Sequence, residues 1–276
     1  MMDALHPSMT STPTKTAIAI SLFVTCLVSA ACVADSEEAA PRCGTEVYHG
    51  TLDISVHGQD TLNHYSVVKG DVVIGATTWI NLEPLRCLQS IEGDLTIVGN
   101  QEMKTVDGAE ALRDVWGTIT IAHNNNLAHT RAFAGLELAG SIVIAANHKL
   151  DGLSWLSNFE SLAALIVADN NSLMSLSSLA TLRAVSSLRI VNNSSLGAIN
   201  ASGLQWIADG DLDIAHNAAL GSVDLSQLMR LDGGLRVRSN TSLSTCIPHG
   251  VADRLVANGY NGEVSIYGNK QDAVCR

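Results

Sequence analysis

The sequence has few charged and few aromatic residues, and acidic residues outnumber basic ones. Of its 276 residues, 16% are charged and 4% are aromatic, and the formal net charge is −11. Nucleic-acid-binding proteins need clustered positive charge, so this balance excludes that class of partner. Only five prolines and 22 glycines occur, which excludes collagen-like and low-complexity chains. The 46% of apolar residues excludes a wholly disordered chain and predicts a mostly aliphatic core.

A single long hydrophobic run lies near the N-terminus, at residues 17–34, after the basic residue Lys15. A basic residue, an apolar stretch and then small residues are typical of a secretory signal peptide. The run reaches membrane-spanning length only if its small residues are counted, which leaves a retained anchor helix as the alternative. We therefore predict a signal peptide at 1–31, a polar tether at 32–42 and a folded domain at 43–276.

The hydrophobic run ends in the sequence LVSAAC, where the last residue is Cys32. It resembles a bacterial lipoprotein box, whose cysteine is lipidated and becomes the mature N-terminus. Ser29 departs from the aliphatic residue usual in that motif, and cleavage after Ala30 or Ala31 without lipidation is the alternative. The resemblance implies a membrane anchor at Cys32. In lipoproteins of enteric bacteria, an aspartate directly after the lipidated cysteine retains the protein at the inner membrane. This chain has Val33 at that position, which favours the outer membrane or the cell surface, with a periplasmic or secreted protein as the alternative.

Four cysteines remain in the predicted domain, and an even number in an exported chain predicts two disulfides. Four cysteines allow three pairings. Their positions favour Cys43–Cys87 and Cys246–Cys275, because each pair then brackets one end of the repeats described next. No C-x-x-C spacing occurs, so we expect no metal and no other cofactor.

The domain consists of one repeated unit, apolar-x-(Ile/Val)-x-x-Asn-x-x-(Leu/Met), preceded by glycine or another small residue. Seven central residues follow one another at intervals of 24, 23, 23, 23, 24 and 23: Ile97, Ile121, Ile144, Val167, Ile190, Ile214 and Val237. Degenerate copies flank this series on both sides. A unit this short cannot bury its apolar face alone, so neighbouring units must stack.

The alternation within each unit predicts a short parallel strand with two side chains turned inward. The expected fold is therefore mainly β, a right-handed parallel β-helix or leucine-rich-repeat-like solenoid of roughly ten rungs, with disulfide-capped ends. The spacing between strands leaves room for one-turn helices or coil, but not for long helices. The asparagine of each unit is expected to point inward and to form a structural ladder that bonds the turning backbone. Its members are Asn100, Asn124, Asn147, Asn170, Asn193, Asn217, Asn240 and Asn269.

The Asn-x-x-Leu spacing, preceded by Gly-x-Leu-x-Ile, resembles the receptor L domain over about residues 43–275. That leucine-rich-repeat-like domain forms ligand-binding lobes of the insulin and epidermal-growth-factor receptors and also occurs in bacterial exported proteins. The resemblance implies a binding role. No furin-like module and no kinase are present, so receptor signalling does not carry over.

A candidate binding face is expected on the outward side of the repeated strands, where an apolar patch is bordered by charge. Its residues are Val143, Ile166, Val191, Arg189, Asp213, Arg236 and Arg238. Exposed apolar area of this kind often marks a contact surface. The alternative is that small residues merely suit a crowded parallel sheet.

No catalytic residues are predicted. His123 and His216 share one column of the repeat, but four rungs separate them by about 19 Å, which is too far for a shared metal. We therefore expect a non-enzymatic envelope lipoprotein that recognises or adheres to an unidentified protein or glycan. The alternatives are a structural envelope protein without a specific ligand and, less favoured, a carbohydrate-active β-helix enzyme.

Overall fold

The computed structural model describes residues 43–54, 62–272 and 275. The predicted signal peptide, the tether and Cys32 lie outside these residues, so they remain predictions. Within the described residues the chain is mainly β, as expected, and nearly all of its strands join one long parallel sheet.

Most strands are short and cover one side of a rung. The longer strands continue without a break across two adjacent sides of a rung. The strands are β1 (Glu46–His49), β2 (Leu52–Asp53), β3 (Tyr65–Lys69), β4 (Val72–Gly75), β5 (Ser90–Ile91), β6 (Leu95–Val98), β7 (Asp114–Ala122), β8 (Leu138–Ala145), β9 (Ser161–Ala168), β10 (Ser175–Leu176), β11 (Ala184–Val191), β12 (Ala198–Asn200), β13 (Trp206–Ile207), β14 (Leu212–Ala215), β15 (Ser222–Asp224), β16 (Arg230–Leu231), β17 (Leu235–Arg238) and β18 (Val264–Tyr267).

The register of the sheet follows the period of the sequence. Ile97 of β6 pairs with Ile121 of β7, and the same column continues through Ile144 and Val167. Each pair is one repeat apart, so residues at equivalent repeat positions stack on one another. The inward side chains of this column are fully buried and form the continuous aliphatic core.

A second column of parallel strands precedes the first, which the sequence pattern did not predict. Short strands such as β5 and β13 pair with the N-terminal parts of β7 and β11. Long strands of eight or nine residues therefore supply two sides of a rung across one corner. A glycine is required at that corner in some rungs. A Cβ added to Gly140 would lie 2.8 Å from two backbone carbonyl oxygens of the preceding rung.

The third side of the rungs contains the small sheet β10–β12–β15 and short 3-10 helices. The 3-10 helices are Leu62–His64, Glu83–Leu85, Arg131–Gly135, Ser154–Asn158 and Ser177–Thr181. The expectation that long helices are absent is wrong at one place. Helix α1 (Cys246–Ala257) fills the longer interval before β18 and buries four of its side chains. Here 29 residues separate paired positions Leu235 and Val264, which provides the extra chain that a helix needs.

Disulfides connect Cys43 with Cys87 and Cys246 with Cys275, consistent with the pairing that the sequence positions favour. The second bond joins the start of α1 to the segment after β18. A search of the described part of the chain for a long, apolar, membrane-spanning helix finds none.

Candidate functional site

The repeated asparagines form a buried ladder, and each one bonds the rung before it. The Asn147 Oδ1 atom accepts from the Asn124 backbone N–H at 3.1 Å and from the Asn124 Nδ2 at 3.2 Å. The Asn147 Nδ2 in turn donates to the Ile121 carbonyl oxygen at 2.8 Å. In the rung before Asn100, Thr77 replaces asparagine and donates to the Asn100 Oδ1 through both its backbone N–H and its hydroxyl. These side chains therefore satisfy turn backbone that is buried away from water.

The residue before each asparagine adopts a left-handed backbone conformation. Its φ is 57° at both His123 and His216. The two histidines are exposed at these turns, in separate rungs. Across the described ranges, no three His, Cys, Asp or Glu side chains lie close enough to hold a metal ion.

The predicted binding face is less open than expected. Val143 and Ile166 are half-buried, whereas Val191 is buried together with Ala168 and Ala215. Each outward side chain in the middle of a parallel sheet touches neighbours on two adjacent strands, which removes much of its exposed surface. The expectation of an exposed apolar patch that includes Val191 is therefore wrong.

Charged side chains at one end of this face form two ion-pair groups. Asp213 is buried and accepts from the Arg238 Nη2 at 3.2 and 3.3 Å, so its predicted place on an exposed border is wrong. Arg189 stays half exposed, with its Nη1 3.8 Å from the Asp213 Oδ2. Arginines on both sides shield the Asp213 carboxylate from water and also neutralise it.

The second group of charges is built around Arg236. Its guanidinium bonds Asp211, and its Nη2 donates to the Glu263 Oε2 at 3.0 Å. The Gly234 backbone N–H donates to the Asp211 Oδ1 at 2.7 Å. This hydrogen bond is the main cause of the lowered pKa of Asp211, and Arg236 lowers that pKa further. The first group has one positive charge in excess and the second group one negative charge, so the charges of the two groups together sum to zero and this end of the face is nearly neutral.

A second surface, on the strands that the repeat pattern did not predict, carries larger exposed side chains. Trp206 of β13 is 47% exposed and pairs in register with Arg230 of β16. Met229, beside Arg230, is 56% exposed. Arg230 is held by Asp232 in a bidentate pair of 2.8 and 2.9 Å, which lowers the pKa of the Asp232 carboxyl.

A concavity of about 320 Å³ lies next to these residues. It is bounded by Met229, Arg230 and Asp232 on one side and by residues 258–261 after α1 on the other. The Tyr260 hydroxyl fixes this wall: its single proton is shared between the Gly233 and Glu263 carbonyls, at 2.9 and 2.8 Å, and its oxygen accepts from the Leu235 N–H at 3.2 Å. Burial raises the pKa of Tyr260, so its hydroxyl stays protonated. We call Trp206, Met229, Arg230, Asp232 and Tyr260 with this concavity the Trp206 site.

The titratable side chains of the Trp206 site are all engaged with other groups of the chain. Its cation and its carboxylate are paired with each other, and its tyrosine is engaged with backbone. An exposed tryptophan with methionine and arginine neighbours is the composition enriched at protein interfaces. The repeat period could not reveal the site, because Trp206 has no equivalent in adjacent rungs. The signal that the sequence offered was a tryptophan among small and polar residues in a chain with 4% aromatics.

Comparisons with known proteins do not assign a family. No family model and no curated protein matches the chain. Among solved structures, an internalin from Listeria monocytogenes is similar at 16% identity, over 78% of this chain and 84% of that chain, with a TM-score of 0.19. At this identity and TM-score the likeness carries no argument about function.

Proposed function

We propose that the protein is an exported, non-enzymatic recognition module that is anchored through Cys32 in the cell envelope and binds a partner protein at the Trp206 site. The observation that carries the proposal is the exposure of Trp206 next to Arg230, which lines a concavity together with Met229. Two disulfides support an exported protein, because disulfides persist in oxidising compartments.

The anchor is supported by the sequence before Cys32, and the binding role by the resemblance of the repeats to receptor L domains. A stacked sheet presents side chains at fixed positions, so a partner meets an ordered surface and little conformational entropy is lost on binding. Large side chains that are exposed before binding then become the anchors of the interface.

Site-specific photo-cross-linking in intact cells tests the binding site. A photoreactive amino acid replaces Met229, and in a matched control it replaces Met174, which is 70% exposed elsewhere on the domain. We expect a discrete protein adduct from position 229 that Trp206→Ala abolishes, and no such adduct from position 174. Equal labelling at both positions, or an adduct that digests with glycosidases only, contradicts a protein-binding Trp206 site.

Mass spectrometry of the mature N-terminus tests the anchor separately. We expect a lipidated cysteine at position 32 and release of the Cys32→Ala protein from the membrane fraction. An unmodified N-terminus at Ala31 or Cys32 would contradict lipid anchoring without affecting the binding site.

A further inference from the structure

The last strand of the long sheet, β18, has one free edge. Leu235 N–H bonds the Glu263 carbonyl, and Ser239 N–H bonds the Tyr267 carbonyl, so these groups of the β18 segment point toward β17. Backbone groups alternate in direction along a strand, so the N–H and C=O groups of Val264 and Ile266 point away from β17. No backbone hydrogen bond to these groups is seen among the described residues.

The side chains of β18 are also incompletely covered. Val264 and Ile266 continue the inward aliphatic column of Leu235 and Val237. With no further rung beyond them, Val264 is 44% exposed and Ile266 is partly exposed. Natural sheets usually protect such an edge with charge, proline or a covering loop. Residues 264–267 contain no charged residue and no proline.

We infer that this edge pairs with the same edge of a second copy of the chain, in an antiparallel arrangement across a two-fold axis perpendicular to the sheet. The strand is self-complementary in that register. Val264 then lies opposite Ile266 of the second copy, on the inward side of both sheets. The two residues can exchange both of their backbone hydrogen bonds, which gives four bonds over the symmetric pair. The aliphatic cores of the two copies become continuous.

Among the described residues, β18 is the last strand in the order of the long sheet and pairs with β17 alone. β1 and β18 are at opposite ends of the strand order, and the chain enters the fold at Cys43, just before β1. The contact is short, well below the roughly 1,200 Å² that stable interfaces bury, so the expected dimer is weak, with a dissociation constant of about 1 μM or higher.

Disulfide trapping tests the register directly. In the inferred dimer Ser265 faces the same residue of the second copy in a non-hydrogen-bonded pair, whose Cα atoms are about 4.5 Å apart and within reach of a disulfide. Oxidation of the purified full-length Ser265→Cys protein should give a covalent dimer. The matched control is Ser222→Cys, an exposed strand serine away from this edge. Equal or slower cross-linking at position 265 than at 222 overturns the proposal.

Sedimentation equilibrium tests the edge without a new cysteine. Val264→Pro removes only a backbone N–H that points away from β17, and proline is tolerated at such edge positions. Val264→Lys is a second variant that keeps the N–H and adds charge to the exposed core. Each variant should weaken self-association at least about tenfold, because each removes hydrogen bonds or apolar contact in both copies. Met174→Lys should leave it unchanged.

A wild-type protein that stays monomeric at concentrations of about 1 mM, or association that both Val264 variants leave unaltered, refutes dimerisation through β18. Binding of an extended peptide at this edge by a monomeric protein would also overturn the inference, since the occupant would then be another chain. Thermal unfolding of each variant confirms that a loss of association is not a loss of folding.

Discussion

Replacing one asparagine of the buried ladder should cost far more than replacing its exposed neighbour. In Asn147→Ala the Asn124 backbone N–H and the Asn124 Nδ2 both lose the acceptor that they share, the Asn147 Oδ1. The Asn124 backbone N–H is then left without a partner, whereas the Asn124 Nδ2 keeps its bond to the Ile97 carbonyl, so we expect a loss of at least about 1–3 kcal/mol of unfolding free energy. The carbonyls of Ile121 and Ala145 lose a donor in addition.

Urea unfolding of wild type and variant, followed by circular dichroism with the disulfides intact, measures this loss. The comparison requires equal m-values, since a changed m indicates a change in the surface exposed on unfolding. The control is Asn125→Ala, which removes an exposed side chain whose Nδ2 donates to Gln101. The control should remain within about 0.5 kcal/mol of wild type. If the two variants are equally stable, the ladder does not satisfy buried backbone as argued.

Three further predictions concern the rung corners, the turns and the charged end of the face. Gly140→Ala should destabilise by about 1–3 kcal/mol, because its Cβ would lie 2.8 Å from backbone oxygens that cannot move aside; Gly152→Ala, with open space around it, should be nearly neutral in the same urea titration. Ala146→Gly should stabilise by about 0.5–1 kcal/mol, because φ of 53° strains alanine; Ala218→Gly, outside the left-handed region, should slightly destabilise. The lowered pKa of Asp211 stabilises the folded state above its ordinary value of 3.8, and this contribution is lost as the pH falls through the lowered value. Melting temperatures of Asp211→Asn between about pH 6 and pH 2.5 should therefore fall less steeply than those of wild type, and parallel curves would refute this role of Asp211.

The inside of the domain was predictable because stacking repeats the same physical demand in every rung. Each rung repeats two inward aliphatic side chains and one inward asparagine. The period of the sequence therefore predicts the register of the parallel sheet. The second strand column was missed for a related reason. Its strands are as short as two residues, as in β5 and β13, and two residues show no alternation.

The outside was harder to predict, because burial on a sheet surface depends on neighbours that are far apart in sequence. Val191 and Asp213 occupy outward positions and yet are buried, since adjacent strands and paired arginines cover them. The exposure of Trp206 depends equally on small neighbours: Ala184 is its partner on β11. The alternation of residues along a strand assigns a side chain to one face of the sheet. It does not predict the size of the neighbouring side chains on the adjacent strands, which determines how much of that side chain is buried.

The two surfaces with the strongest case for contact are the places where the repeat is broken. Trp206 interrupts a column that holds small residues in the preceding rungs, Ser161 and Ala184. The β18 edge exists because no further rung follows it. Selection on the fold explains the side chains that recur, since every rung needs them. It does not explain a large exposed side chain that appears in one rung only, and such departures are where a solenoid has freedom to acquire a binding function. If this reasoning holds, Trp206→Ala leaves the unfolding free energy within about 0.5 kcal/mol of wild type while abolishing the adduct at position 229. A large loss of stability in Trp206→Ala would instead assign that side chain to the fold.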